Sequence, residues 1–296
     1  MPLALEQMDL RGFDLIISSE SGPAKGIIAP PGALHICYCH SPMRYIWNMF
    51  HDYRDRAGGL KRILMPPVAH YIRTWDAVSA SRVHQFVANS RTVAKRIGSY
   101  YHRPAEVVFP PVDVDAFAPV AQGELASYYL MVGELVAYKR PDLAVAAFNA
   151  MRKPLVVIGG GEMLRKIREM AGETVTVLGP QPFATLRHYY ATCQGLIFPG
   201  EEDFGIVPVE VMASGRPVVA LGRGGATETV ANMETGIFFQ EQSPEAIADA
   251  VERFAAIDWD PARIVAHARQ FHTDEFKCRF LDKVNRSLVE LSASEY

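Results

Sequence analysis

The sequence lacks long apolar runs and is poor in cysteine. No stretch of its 296 residues approaches the roughly 18 apolar residues of a membrane-spanning helix. The start, MPLALEQMDLRGFD, meets charged residues too early to be a secretory signal. The four cysteines, Cys37, Cys39, Cys193 and Cys278, have neither zinc-ligand spacing nor the density of a disulfide framework. We therefore expect a reduced, cytoplasmic protein.

A clustered excess of basic residues is also lacking. The chain has 30 Lys and Arg against 33 Asp and Glu, a formal net charge of −3. Residues 1–119 are mildly basic and residues 120–296 are acidic. Proteins that bind nucleic acids usually gather basic residues on one face, so we expect no nucleic-acid partner. Hydrophobic residues make up 49% of the chain, a globular composition, and the length allows two domains.

Short apolar runs alternate with helical patterns from about residue 128 onward. The predicted strands are 128–133, 154–159, 174–179, 195–200, 217–222 and 235–239. The predicted helices between them are 140–151, 162–172, 183–193 and 204–215. Continuous apolar strands alternating with helices predict an α/β fold with a parallel sheet covered on both faces. Its ligands should bind at the carboxyl ends of the strands.

The first part of the chain contains similar elements with less regular spacing. Its predicted strands are 13–19, 34–40 and 86–90. Ser90 should cap the helix that follows it. Because prolines make the segment after residue 107 linker-like, we place the domain boundary near residue 119, which gives domains 1–119 and 120–296. The final helix, about 274–292, has no strand after it and should pack back toward the first domain.

Four acidic residues lie where a predicted strand leads into a helix, in IFPGEEDFGIVPVEVMASG (197–215). Glu202 precedes the helix, and Glu210 lies about one turn inside it. The first N–H groups of a helix are unpaired and attract anions such as a diphosphate. We therefore expect Glu202 and Glu210 to flank a bound ligand. For Glu201 and Asp203 an alternative stays open: they could merely complement the helix dipole.

The stretch EDFGIVPVE resembles the E-x7-E motif of retaining GT-B glycosyltransferases of family 4. EVMASGRPVVALGRGGATETV, YKRPDLAVAAFN, VVIGGG, NSRTVAKRI and PPVDVDAF are similar to the same family. HICYCHSPMRYIW resembles a branch that acts on lipid-linked saccharides in bacterial surface polysaccharide assembly, often as mannosyltransferases. The resemblance implies the GT-B fold, with two Rossmann-like domains that face a cleft.

The resemblance also implies roles for residues of the second domain. Glu202 would contact hydroxyls of the donor sugar, and Glu210 would bind the nucleotide ribose. The segment between them would bind the nucleotide sugar, with backbone N–H groups on its diphosphate; its residues are Phe204, Gly205, Ile206 and Val207. Lys139 and Arg140 would offset the charge of the leaving diphosphate. Relatives often have Arg where this chain has Glu134. This difference removes one cation from the diphosphate site. The resemblance implies neither a metal ion nor a cofactor.

Residues of the first domain are assigned to the acceptor side. His40, Arg44 and Tyr45 end a predicted strand; His40 would touch the sugar or the acceptor, and Arg44 a phosphate of a lipid carrier. A histidine at a strand end can also be purely structural. Cys37 and Cys39 project to one face of the strand, where we expect them in the core.

Three other patterns receive no role in the reaction. GGGEM (159–163) lacks the third glycine of a dinucleotide fingerprint. DVD (113–115) is similar to a metal motif but lies in the predicted linker. The basic, apolar segment 54–73 could rest on an anionic membrane surface, or it could form an ordinary solvated helix face.

Family members usually begin with a strand, a Gly-rich loop and two further strand–helix units, which have no counterpart before residue 13. We therefore expect an incomplete first domain whose sheet has an exposed edge. The predicted function is the transfer of a hexose to a lipid-linked saccharide, with mannose from GDP-mannose as the expected donor sugar. We expect the protein to associate peripherally with the membrane. Two alternatives stay open: a nucleotide-sugar epimerase of similar shape, and a truncated protein that only binds nucleotide.

Overall fold

The computed structural model describes residues 2–294 and divides into two compact units. Unit 1 combines the chain up to Phe109 with the chain from Lys277 onward, and unit 2 is Pro110–Phe276. The predicted boundary near residue 119 lies too late, because the segment after Pro110 belongs to unit 2. There the N–H of Val112 donates to the carbonyl of Phe271 at 3.0 Å.

Each unit is built on one parallel sheet. Unit 1 has the strand order β1-β2-β3-β4, with β1 Leu15–Glu20, β2 Leu34–Cys39, β3 Gln85–Ala88 and β4 Ala105–Val107. Unit 2 has the order β10-β9-β8-β5-β6-β7, with β5 Tyr129–Val132, β6 Leu155–Ile158, β7 Val175–Gly179, β8 Leu196–Phe198, β9 Val218–Leu221 and β10 Gly236–Phe239. All the strand pairs are parallel. The predicted α/β class is confirmed.

Helices lie before, between and after the strands. In unit 1 they are α1 Pro2–Glu6, α2 Phe50–Arg56, α3 Gly59–Ser79 and α4 Arg91–Tyr101. In unit 2 they are α5 Pro141–Met151, α6 Leu164–Met170, α7 Phe183–Thr192, α8 Ile206–Ala213, α9 Ala226–Thr229, α10 Pro244–Ala255 and α11 Pro261–Ala268. Helix α12, Thr273–Ser294, covers nearly the residues predicted for the final helix.

Local sequence signals explain where several of these helices begin. The hydroxyl of Ser90 accepts a hydrogen bond from the N–H of Val93 at 3.1 Å and caps α4, as predicted. Pro141 occupies the first turn of α5, where its missing N–H costs nothing. Gly205 precedes α8 with φ +93°, a left-handed conformation that a side chain would strain.

The core of unit 1 lies between its sheet and α4. Cys37 and Cys39 are fully buried and pack with Phe86, Val93 and Ile97, which confirms their predicted core role. In unit 2, buried residues of the central strands pack against α5 and α10, among them Val157, Val219, Phe148 and Ile247. Each such side chain contributes about 1.5–3 kcal/mol through burial.

Helix α12 joins the sheet of unit 1 through polar and aromatic contacts. The ring of Phe280 meets that of Tyr38 edge-on, with 5.8 Å between centroids. The Lys283 ammonium donates to the side-chain oxygen of Gln85 at 3.1 Å, and Arg286 donates to Glu106 at 2.8 Å. The helix thereby connects β2, β3 and β4. At one edge of this sheet, β1 pairs only with β2 in the described chain. It is therefore an edge strand, as expected.

Candidate active site

The sheet of unit 2 reverses its strand order between β5 and β8. From β5 the chain proceeds outward through β6 and β7, and from β8 it proceeds the other way through β9 and β10. In a parallel sheet, such a reversal leaves a crevice at the carboxyl ends of the two central strands. The loop after β5 carries Lys139, and the loop after β8 carries Glu202. The topology therefore brings the two predicted catalytic residues to one place.

Lys139 and Glu202 form an ion pair across this crevice. The ammonium nitrogen lies 2.9 Å from the Glu202 Oε1, and the two side chains are 17% and 21% exposed. Glycines let the loops meet: a Cβ on Gly200 would lie 2.7 Å from the Lys139 Cα, and one on Gly133 would lie 3.4 Å from its Nζ. The sequence predicted both residues as site residues but did not predict that they pair directly.

Glu210 lies in α8, with part of its surface open to solvent. It accepts a hydrogen bond from the Tyr190 hydroxyl at 3.1 Å. Burial raises the pKa of the Glu210 carboxyl, and the hydrogen bond from Tyr190 partly opposes that rise. The carboxylate is thus held in one orientation while it remains able to accept a further hydrogen bond from a ligand.

The start of α8 lies between these two acids in the sequence. Its first N–H groups, including those of Ile206 and Val207, have no acceptors within the helix because no earlier turn precedes them. Gly205 has the backbone conformation needed to begin the helix there. Phe204 was predicted to bind the nucleotide sugar, but its side chain is 3% exposed and packs edge-on with Phe271. The buried side chain leaves only the Phe204 backbone for such a role.

A pocket of about 370 Å³ opens beside the loop after β5. It is lined by Gly133, Glu134 and Gln181, by the glycine run 159–161, and by Leu186 of α7. Leu186 lies one helical turn before Tyr190, the partner of Glu210, so the two side chains share a face of α7. Gly159 permits close packing here, since a Cβ on it would lie 1.8 Å from the Gly133 carbonyl oxygen.

The sequence patterns did not predict this pocket. The glycine run lacks the third glycine of a dinucleotide fingerprint, and we assigned it no other role in the site. The available signal was its position, because the run directly follows a strand at the carboxyl edge of the sheet.

Arg140 and the two other acids of the motif also have contacts within unit 2. The Arg140 guanidinium pairs with Asp142 at 3.2 Å, so each of the two predicted cations has an anionic partner. The side chain of Glu201 lies against Gly224, where an added Cβ would approach it to 3.0 Å. Glu201 and Asp203 are partly exposed, and whether they bind a ligand or only complement the helix dipole stays open.

The predicted acceptor-side residues lie in unit 1, after β2. The His40 Nε2 is 2.9 Å from the Ser19 hydroxyl, its ring meets Tyr38 edge-on, and burial lowers the pKa of its imidazole. Arg44 is partly buried in the turns that follow, and the Tyr45 hydroxyl donates to the Met43 sulfur at 3.0 Å. Their assignment to the acceptor stays a prediction.

A buried charge cluster in unit 1 was also missed. Lys25 is fully buried; its ammonium pairs with Asp76 and lies 3.4 Å from Glu20 Oε1. Asp76 also accepts hydrogen bonds from Trp47 Nε1 at 2.7 Å and from the Tyr101 hydroxyl at 2.8 Å. These residues come from four separate segments, so no local sequence pattern marks the cluster.

The chain is similar to known proteins that transfer sugars. The chain is 29% identical, over 71% of its length, to a GDP-mannose-dependent alpha-(1-6)-phosphatidylinositol monomannoside mannosyltransferase of Mycobacterium tuberculosis, and it spans 64% of that protein. Its fold is similar to that of a sucrose-phosphate synthase from Thermosynechococcus elongatus, with TM-score 0.71 and 19% identity over 95% of this chain and 75% of the other.

A second solved structure, HepE of Anabaena in complex with UDP and glucose, has TM-score 0.64 and 14% identity over 92% of this chain and 98% of that one. These likenesses support the GT-B fold with its two parallel sheets. The family described as glycosyl transferases group 1 matches residues 115–271, which include Lys139, Glu202 and Glu210. The chain belongs to the group 1 glycosyl transferases.

Proposed function

We propose that the chain transfers mannose from GDP-mannose to a lipid-linked saccharide, with retention at the anomeric carbon. The observation that carries this proposal is the Lys139–Glu202 pair at the reversal of the strand order, with Glu210 further along α8. The name of the mycobacterial relative supports the choice of donor and of a lipid acceptor. A lipid-linked acceptor would place the reaction at the inner face of the cell membrane, with the protein held peripherally.

Each side chain has a defined task in the proposed reaction. Lys139 and the N–H groups at the start of α8 offset the charge that grows on the leaving diphosphate. Glu202 accepts hydrogen bonds from sugar hydroxyls and positions the ring, and Glu210 accepts from the ribose. The bond from the anomeric carbon to the diphosphate oxygen breaks, and the acceptor oxygen bonds to the same face of the sugar. The proton of the acceptor hydroxyl passes to the departing phosphate oxygen.

A transfer assay tests this function directly. The protein is incubated with radiolabelled GDP-mannose and a bacterial lipid extract, and label is counted in the organic phase. The configuration of the product linkage is then read by NMR. We expect lipid-bound label with the donor's configuration. Conversion of the donor without acceptor would support an epimerase instead, and GDP binding without turnover would support a protein that only binds nucleotide.

Glu210→Gln should weaken GDP binding about 10- to 100-fold, because a charged hydrogen-bond acceptor is worth roughly 1.5–3 kcal/mol. In the wild type, GDP affinity should fall as pH decreases through the raised pKa of Glu210, because the protonated carboxyl is a poorer acceptor. Tyr190→Phe should shift that fall to higher pH, since the Tyr190 hydrogen bond lowers this pKa. Isothermal titration calorimetry with GDP across pH measures both effects.

Glu201→Gln is the matched control for these variants. It removes a carboxylate from the same acidic run and should leave GDP affinity unchanged. If Glu210→Gln bound GDP as tightly as the wild type, the assignment of Glu210 to the ribose would be wrong.

A further inference from the structure

Helix α3 packs on unit 1 with only one of its sides. Ala69 is 4% exposed, and Met65 and Ile72 pack with Met43, Ile46 and Phe50. Further along, Asp76 is fully buried in the charge cluster. These inward residues follow helical spacing and fix which side of α3 faces solvent.

The opposite side of α3 is apolar and faces solvent. At 100° per residue, Leu60, Leu64 and Tyr71 fall within about 40° of one another and nearly opposite Ala69. The exposed apolar side chains of its first half are Leu60 (70%), Ile63 (72%), Leu64 (51%), Val68 (53%) and Tyr71 (67%). An ordinary surface helix turns its apolar side toward the core. A contiguous exposed apolar face of this kind marks an interaction surface.

Basic residues outnumber acids in the segment that leads into this apolar face. Arg54 and Arg56 lie on α2, Lys61 and Arg62 lie at the start of α3, and the acids among them are Asp52 and Asp55. Asp55 lies 3.3 Å from Arg54 and 3.7 Å from Arg62. The segment is thus locally positive in a chain of net charge −3. Exposed apolar side chains next to a positively charged segment complement the surface of an anionic membrane.

We propose that this region, the α2–α3 surface, rests on an anionic lipid membrane with the outward side chains of α3 inserted at the interface. The inference adds a membrane-binding surface to the proposed function. It rests on that function in one respect, because a lipid-linked acceptor requires a membrane. Within residues 2–294, no helix is long and apolar enough to cross a bilayer, so this mode of attachment lies on the surface. A second copy of the chain fits this surface less well, because a two-fold dimer through this face would place like charges opposite one another.

Vesicle co-sedimentation tests the proposal without donor or acceptor. The wild type should sediment with vesicles that contain phosphatidylglycerol and much less with phosphatidylcholine alone. Lys61→Gln should lower binding to the anionic vesicles roughly fivefold, since each basic residue near the surface contributes about that much and Lys61 lies on the same side of the helix as exposed Val68. Leu60→Ser/Ile63→Ser/Leu64→Ser should lower it by about tenfold or more through lost apolar insertion. Circular dichroism checks that each variant is folded.

The control is Leu281→Ser/Val289→Ser on α12, where the two side chains are 59% and 69% exposed. It removes exposed apolar surface elsewhere in unit 1 and should bind vesicles as the wild type does. The proposal is overturned if the triple serine variant binds vesicles like the wild type. It is equally overturned if the wild type binds neither kind of vesicle and sediments as a dimer that the triple variant loses. Because the assay contains no sugar donor, its result is independent of whether mannose transfer is found.

Discussion

Glu202→Gln should lower kcat about 10²- to 10³-fold, the usual effect of removing one group that stabilises a transition state. The substitution keeps the size of the side chain but removes its charge. The amide is a weaker acceptor for sugar hydroxyls, and it no longer forms the ion pair with Lys139 at 2.9 Å. Turnover is measured as GDP release in the presence of the lipid extract.

The same variant should keep or improve its affinity for GDP. Lys139 loses its anionic partner and becomes more available to the diphosphate, while Glu210 is unchanged. Calorimetry with GDP tests this half of the prediction. Asp203→Asn, an acid next in the chain, serves as the control and should keep both kcat and GDP affinity. A Glu202→Gln variant with full turnover would contradict the assignment, and parallel loss of turnover and GDP binding would point to a structural role.

Lys25→Met should destabilise unit 1 by about 3–5 kcal/mol, because removing one partner of a buried ion pair leaves the others uncompensated. Glu20 and Asp76 would then lie buried without their cation. Two of the three tryptophans, Trp47 and Trp75, belong to unit 1. Urea unfolding followed by tryptophan fluorescence therefore reports mainly on this unit. Lys95→Met, at an exposed position of α4, is the matched control and should cost little.

The loss of stability caused by Lys25→Met should depend on pH in a defined direction. Burial raises the pKa of the Glu20 carboxyl, and removing the nearby ammonium should raise it further. A carboxyl whose folded pKa exceeds its unfolded value destabilises the protein at high pH, and acidification through the folded pKa relieves that cost. The difference in unfolding free energy between Lys25→Met and the wild type should therefore become smaller from pH 8 toward pH 5. A gap that stays constant would show that packing, and not charge, causes the loss.

Repeating patterns made the second half of the chain predictable. Its apolar strands are buried on both faces, so their sequences are continuous apolar runs, and its helices carry recognisable first residues such as Pro141. The acidic motif predicted Glu202 and Glu210 as site residues, and the place of Lys139 after a strand predicted it as a third. The structure brings Lys139 to 2.9 Å from Glu202, and the roles of all three residues stay predictions.

The features that sequence reasoning missed depend on contacts between distant segments. Lys25 and Asp76 are 51 residues apart, and nothing near either residue indicates that they are buried together. The pairing of Lys139 with Glu202 depends on β5 and β8 being neighbours, which strand patterns alone do not reveal. The boundary near residue 119 was misplaced because prolines suggested a linker where the chain in fact packs through Val112.

The chain order of unit 1 also has a consequence for protein synthesis. Its strands emerge from the ribosome before unit 2, but α12, which contacts three of those strands, is made only after all of unit 2. Domains generally fold as they emerge, so unit 2, one uninterrupted segment, can complete its fold while unit 1 still lacks a helix. During that interval the α12-facing side of the unit 1 sheet is uncovered, and this nascent state is where we expect chaperones to engage the chain.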